Sequence, residues 1–332
     1  MKNILALLFI LFSLSVHAEE WISPVDNKYS AKNPELFSVL SRARVILDSW
    51  RGQQEKLREA DTLLKSVLQK DSNFAPAYRE YGRLYIMAGY INRDKFKKGS
   101  LNPAEESILK SIEIEPNYAD SYVLLGHLYT NMDRDIDAKS ALVKAEQIGT
   151  NIPWLHLNWA DLLVKQKQYG EALKRYQHVL ETSTTNRKAY SSALSGLTTV
   201  YWYMNQYDKV SEAHKKIIAY EPDSAWSWGN YSSFLLFGYN DVDGAITNGQ
   251  KALSIMDYGM GRFTLACALY TKWALLLQDV KKADKAQQYF DEAWALYPYP
   301  ERIIEKTIQY KYTKITADKL QKWLTSHSTG TR

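Results

Sequence analysis

The chain has 332 residues, 45% of them hydrophobic, and a formal net charge of +5 carried by interspersed Lys, Arg, Asp and Glu. That apolar content can bury a large core and excludes a disordered chain. The lack of long one-sided basic runs speaks against a nucleic-acid partner, and a single cysteine, Cys267, excludes an internal disulfide.

Residues 1–18 read MKNILALLFILFSLSVHA: a basic Lys2, then an apolar run from Ile4 to Val16, then the small-x-small site Val16-His17-Ala18. This is the pattern of a cleavable signal peptide. Thirteen helical residues cover about 20 Å, short of the roughly 30 Å apolar core of a bilayer, so the run is expected to be removed and not to anchor the chain. No cysteine stands at the cleavage point. The leader's brevity suggests a bacterium, with the periplasm as the expected destination and secretion as the second choice. Cys267, in the apolar run RFTLACALY, reads as a buried small hydrophobe.

Residues 19–34 are expected to be extended, and residues 35–298 carry a repeat. Small residues recur at Ala60, Ala104, Ala138, Ala172, Val210, Ala245 and Ala286, with spacings of 44, 34, 34, 38, 35 and 41. The two intervals of 34 set the unit, and the others are insertions. Each unit reads as two helices. The first carries an aromatic, a small residue four positions on and a bulky one three later, as in Tyr78, Gly82, Tyr85 and Tyr122, Gly126, Tyr129, with His156, Ala160, Leu163 a looser copy. The second starts near the anchor alanine and repeats at four and seven, as in Ala172, Tyr176, Val179. Steps of three and four share one helix face. Pro116, Pro222 and Pro298 stand where second helices should stop. Gly82, Gly126, Ala160, Ser232 and Ala274 are the expected close contacts on first helices. Residues 299–325 read as one closing helix with Ile303, Ile304, Ile308, Leu320 and Trp323 on its buried side, and residues 326–332 as a flexible tail.

The segments AYREYGRLY (77–85), SYVLLGHLY (121–129), YGEALKRYQHVLE (169–181), IEIEPNYA (112–119) and KAQQYFDEAWALYP (285–298) together resemble the tetratricopeptide repeat family. The resemblance covers about residues 53–298. It implies an all-α, right-handed superhelical solenoid of about seven helix-turn-helix repeats with a C-terminal capping helix. It also implies a non-catalytic scaffold that binds a protein or peptide in a concave groove lined by first helices. The residue after each aromatic anchor, and the one four later, should face that groove. These are Arg79 and Arg83, Val123 and His127, Leu157 and Asp161, continued by Asn131 and Lys165, then Trp202, Tyr203, Trp226 and Ser233. Such a groove is basic and polar at one end and aromatic in the middle. It suits a segment with acidic and apolar residues, since arginine forks hold carboxylates in pairs of bonds and Tyr and Trp give contact area at low entropy cost. A glycan stacked on Tyr and Trp is the alternative ligand, and ordinary solvated or packing roles are the alternative for each residue.

An insertion, GYINRDKFKKGSLNP (89–103), separates the helices of one unit and places Arg93, Lys95, Lys97 and Lys98 around Phe96. It reads either as a docking loop for a partner or an anionic envelope surface, or as a solvated connection. No catalytic, metal or cofactor motif is found: the histidines lack H-E-x-x-H spacing, and P-loop, G-x-S-x-G and G-x-G-x-x-G are absent. Asp133, Asp135 and Asp137 alternate as calcium-loop residues do, but without the loop's glycine and final glutamate, so a polar turn is expected.

Overall fold

A computed structural model describes residues 23–92, 95–182 and 186–328. The signal peptide expected at 1–18 lies outside these residues. Among the described residues the chain forms seventeen α-helices and one two-stranded hairpin. The helices are α1 (Pro24–Lys32), α2 (Pro34–Asp48), α3 (Gln54–Lys70), α4 (Ala75–Gly89), α5 (Asn102–Ile114), α6 (Ala119–Asn131), α7 (Asp135–Ile148), α8 (Pro153–Lys165) and α9 (Tyr169–Thr182). They continue as α10 (Arg187–Tyr203), α11 (Tyr207–Tyr220), α12 (Ala225–Phe237), α13 (Val242–Ile255), α14 (Gly259–Leu276), α15 (Ala283–Leu296), α16 (Pro300–Thr307) and α17 (Lys314–Ser328). Strands β1 (Tyr90–Asn92) and β2 (Lys95–Phe96) interrupt the series between α4 and α5. From α2 to α15 first and second helices alternate, giving the seven units of an α-solenoid.

Every anchor of the sequence repeat falls on a second helix and is buried: the six alanines are 0% exposed and Val210 2%. The small residues of first helices meet the partner helix of their own pair. A Cβ on Gly126 of α6 would lie 2.6 Å from Leu142 Cγ of α7. Ser232 of α12 donates to the Ala245 carbonyl of α13 at 2.6 Å. Side-chain volume at these points sets how closely paired helices approach. Helices α5, α11 and α15 end two residues before Pro116, Pro222 and Pro298.

The chain divides into two compact units, residues 1–166 with 177–190, and residues 167–176 with 191–332. In the first, α2–α3, α4–α5 and α6–α7 pack as pairs, and α2, α4, α6 and α8 also touch one another in succession, so first helices form a layer of their own. The core is built around Leu40, Leu64, Phe74 and Tyr118, and around Ile108, Leu128, Leu142 and Leu162. In the second, α12–α13 and α14–α15 pair and α12 touches α14. Its core holds Phe234, Leu236, Tyr270, Trp273 and Phe290, with Cys267 0% exposed among them.

Both ends differ from the sequence reading. Residues 24–32, expected to be extended, form α1. The Ser23 hydroxyl accepts from Asp26 N at 3.0 Å, Pro24 takes the first helical position, and Val25 and Tyr29 are buried four apart on one face. The single closing helix is two helices, because the Thr307 carbonyl accepts from the Thr313 hydroxyl at 2.8 Å in a turn between α16 and α17. Ile303 and Leu320 are buried as expected, but Ile308 lies at that break and is 52% exposed. α17 runs to Ser328, so the expected tail is helical through that residue.

Candidate binding surface

The first-helix layer of the first unit is occupied by a buried ionic cluster. Glu80, on α4, is 0% exposed. It accepts from Arg44 Nε at 2.9 Å and from Arg83 Nη1 at 2.8 Å, and it pairs with Arg79. Arg44 also forks onto Asp26 at 2.8 and 3.0 Å, and Tyr118 donates to Asp26 at 2.6 Å. Arg83 reaches Asp48 at 2.5 Å. Burial alone would raise the Glu80 carboxyl, but the guanidiniums of Arg83, Arg79 and Arg44 outweigh it and hold the group well below the usual carboxylate range. The carboxylate expected to lie between Arg79 and Arg83 is therefore supplied by Glu80 of their own helix. Sequence reading missed this acid, although it stands in RE-x-x-R between the two arginines; Arg44 could not be joined to it without the fold.

On α6, Asn131 donates to the His127 carbonyl at 2.8 Å and lies 3.2 Å from the His127 ring. On α8, Asp161 is exposed and Lys165 is tied down. Lys165 donates to the Thr130 carbonyl at 2.9 Å and pairs with Asp133 and Asp135 at 2.8 Å, fixing the end of α8 to the α6–α7 turn. Arg134 bonds Asp137 at 2.7 Å and Glu105 at 2.6 Å. The alternating aspartates are thus ion-pair partners within the stack. Val123 and Leu157, read as groove-facing, are 2% and 3% exposed and belong to the packing.

In the second unit Trp202 is half-buried, edge-on to Tyr207 and Phe234 at 5.4 and 6.2 Å, and its ring lies where a Cβ on Gly238 would stand. It is a packing residue. Tyr203 is 53% exposed and stacks on Tyr169 at 5.2 Å with 10° between the rings. Trp226 is 50% exposed and leans on Tyr258 at 4.5 Å. Tyr203 closes α10 while Trp226 opens α12, so the two do not form one aromatic stripe. Ser233 is half-buried. The contacts of Tyr169 with Tyr203 and of Tyr258 with Trp226 were not read from the sequence, because each partner lies outside the first-helix triplet.

The insertion is a hairpin, not an irregular loop. β1 and β2 are antiparallel, with Tyr90 opposite Phe96. Lys95, Lys97 and Lys98 are exposed and Phe96 is half-buried; Arg93 lies outside the described residues.

Residues 119–148 and 151–220 match models of the tetratricopeptide repeat. With the seven alternating helix pairs, these matches support a tetratricopeptide repeat family assignment. Human protein O-mannosyl-transferase TMTC3 is 23% identical over 258 residues, which is 76% of this chain. The chain spans only 26% of that relative's length. Among solved structures, the APC/C hetero-tetramer Cut9–Hcn1 superposes with a TM-score of 0.55 at 17% identity, over 74% of this chain and 45% of that one. PilF of Pseudomonas aeruginosa gives 0.51 at 19% identity, over 72% of this chain and all of PilF. These structures share the fold. Proteins of this repeat class are typically non-catalytic and generally mediate protein–protein interaction.

Proposed function

We propose that this chain is an exported, non-catalytic scaffold that holds a protein segment against the first helices of its repeats, in a bacterial cell envelope. The observation that supports this is the succession of first helices in direct contact. That layer includes α6, which carries His127 and Asn131, in contact with α8, which carries exposed Asp161, while the hydrophobic register is spent on pairing. The arginines Arg79 and Arg83 brace this layer from within through Glu80, and the proposed contact residues of the first unit are His127, Asn131 and Asp161; in the second unit Tyr203 and Trp226 are separate candidates. Export rests on the leader pattern at 1–18, with the periplasm as the compartment. The transferase in the name of the human relative describes a protein of which this chain covers 26%, and no step of that chemistry is carried over.

The test is affinity capture from the native envelope with wild-type chain and with Asp161→Lys. The scaffold reading expects a discrete partner whose capture falls at least about tenfold in the variant at an unchanged unfolding midpoint, a loss in the range of an interface hot spot. Mature chain starting at Glu19 is expected by N-terminal sequencing. Capture indifferent to Asp161, or a chain retaining Met1, counts against the respective half of the proposal. The stacked Tyr169–Tyr203 pair, with Tyr203 53% exposed, favours a glycan platform as the second reading. That reading expects saturable fluorescence quenching by oligosaccharides and its loss in Tyr203→Ala.

A further inference from the structure

The hairpin between α4 and α5 is held firmly at its base, and the described residues around that base are exposed. Lys97 N donates to the Gly89 carbonyl at 2.9 Å. Tyr90 and Phe96 meet edge to face at 5.9 Å, and Tyr90 meets Trp50 at 6.3 Å. Phe96 packs on the core around Leu101 and Ile108. Outside that aromatic base the surface is both apolar and cationic: Ile91 is 53% exposed and Tyr90 43%, with Lys95, Lys97 and Lys98 all exposed beside them. None of these three ammonium groups pairs with a described acid. Elsewhere Lys165 and Lys272 are each paired at 2.8 Å, whereas here three exposed lysines fall within one four-residue stretch next to Tyr90 and Ile91.

From this we infer that the exposed residues Tyr90, Ile91, Lys95, Lys97 and Lys98 around the hairpin base form a docking surface for an anionic phospholipid membrane. A bilayer interface matches both things this surface presents. Aliphatic and tyrosine side chains settle at headgroup depth, and lysine stems lie along the apolar layer while their ammonium groups reach the phosphates. Lysine, a flexible point charge without a fork, suits spread-out headgroup charge better than a fixed carboxylate pair. No helix among the described residues is long and apolar enough to cross a membrane, and the contact is a peripheral one. This inference is independent of the groove partner.

The experiment is co-sedimentation of the purified full chain with vesicles of phosphatidylglycerol and phosphatidylethanolamine, and with vesicles of phosphatidylcholine alone. Binding is expected to the anionic vesicles only, weakening as salt is raised. The triple variant K95E/K97E/K98E is expected to lose on the order of a hundredfold in partitioning, since each juxtamembrane lysine is worth about fivefold or more. Ile91→Ser should lose several-fold at constant charge. Reversing two exposed lysines elsewhere, K215E/K216E, should leave binding near wild type. Equal binding to neutral vesicles, no binding, an unaffected triple variant, or an equal loss in K215E/K216E would each overturn the assignment. So would binding to polyglutamate without binding to vesicles, which would give the surface to an acidic protein.

Discussion

Glu80 carries more charge contacts than any other residue named above, and its substitution should be severe. Glu80→Gln leaves Arg44, Arg79 and Arg83 crowded without their shared acid, and a loss of about 3–5 kcal/mol is expected in urea unfolding. Its pH signature follows from its depressed folded value. The stabilisation is present above the unfolded carboxylate range near 4.3 and drains away as pH falls below it. His214 acts in a neighbouring window. It packs between Tyr231 and Phe234 at 5.4 and 5.5 Å, and burial lowers it to about 4. Between about 6.5 and 4 the unfolded chain then binds more protons than the folded one, so stability falls as pH drops, by up to roughly 3 kcal/mol. His214→Phe should flatten that slope in pH-dependent denaturation and leave the loss below pH ~4.3 in place. Neither role was legible beforehand. A histidine at a second-helix position reads as a small aromatic, and an acid flanked by arginines reads as a solvated face until Arg44 arrives from another helix.

At the scale of helices, packing depends on short side chains at defined points. Gly196 on α10 faces Tyr176, and a Cβ there would lie 2.2 Å from the Tyr176 Cζ, whose ring is only 3% exposed. Gly196→Ala should cost about 1–3 kcal/mol despite its better helix propensity, measured as a lower unfolding midpoint. The closing helices are a second case. α17 lies on α14, with the Thr316 hydroxyl donating to Thr271 at 2.8 Å and Leu320 sealed in the core beside Phe290. Deleting residues 299–332 should uncover that apolar face, seen as increased binding of a hydrophobic dye and lower solubility. The paired helices were readable because their small residues recur at fixed steps. α1 and the break before α17 were not, because each rests on one hydroxyl cap, at Ser23 and Thr313, which leaves no period in the sequence.

For the whole molecule, the repeat explains what kind of protein this is better than it explains what it holds. Ala138, Ala172 and Gly126 speak of stacking, and stacking is shared by every protein built this way. The proposed ligand surface falls on residues that the repeat pattern does not specify, such as Asp161 and Tyr203. Their neighbours are decided by which helices come side by side and not by spacing. Arg79 and Arg83 show the consequence: read as open contacts, they pair with Glu80 of their own helix, while the fold brings Asp48 to Arg83 and Arg44 to Glu80.

The most direct test is site-specific photo-crosslinking in the native envelope, with the crosslinker placed in turn at Asp161 on α8 and Tyr203 on α10, and at exposed second-helix positions Lys139 on α7 and Lys216 on α11. A scaffold that works through its first helices should give a discrete protein adduct from Asp161 or Tyr203 and none from Lys139 or Lys216. Adducts of equal yield from the second-helix positions, or none from either first-helix position, would contradict it.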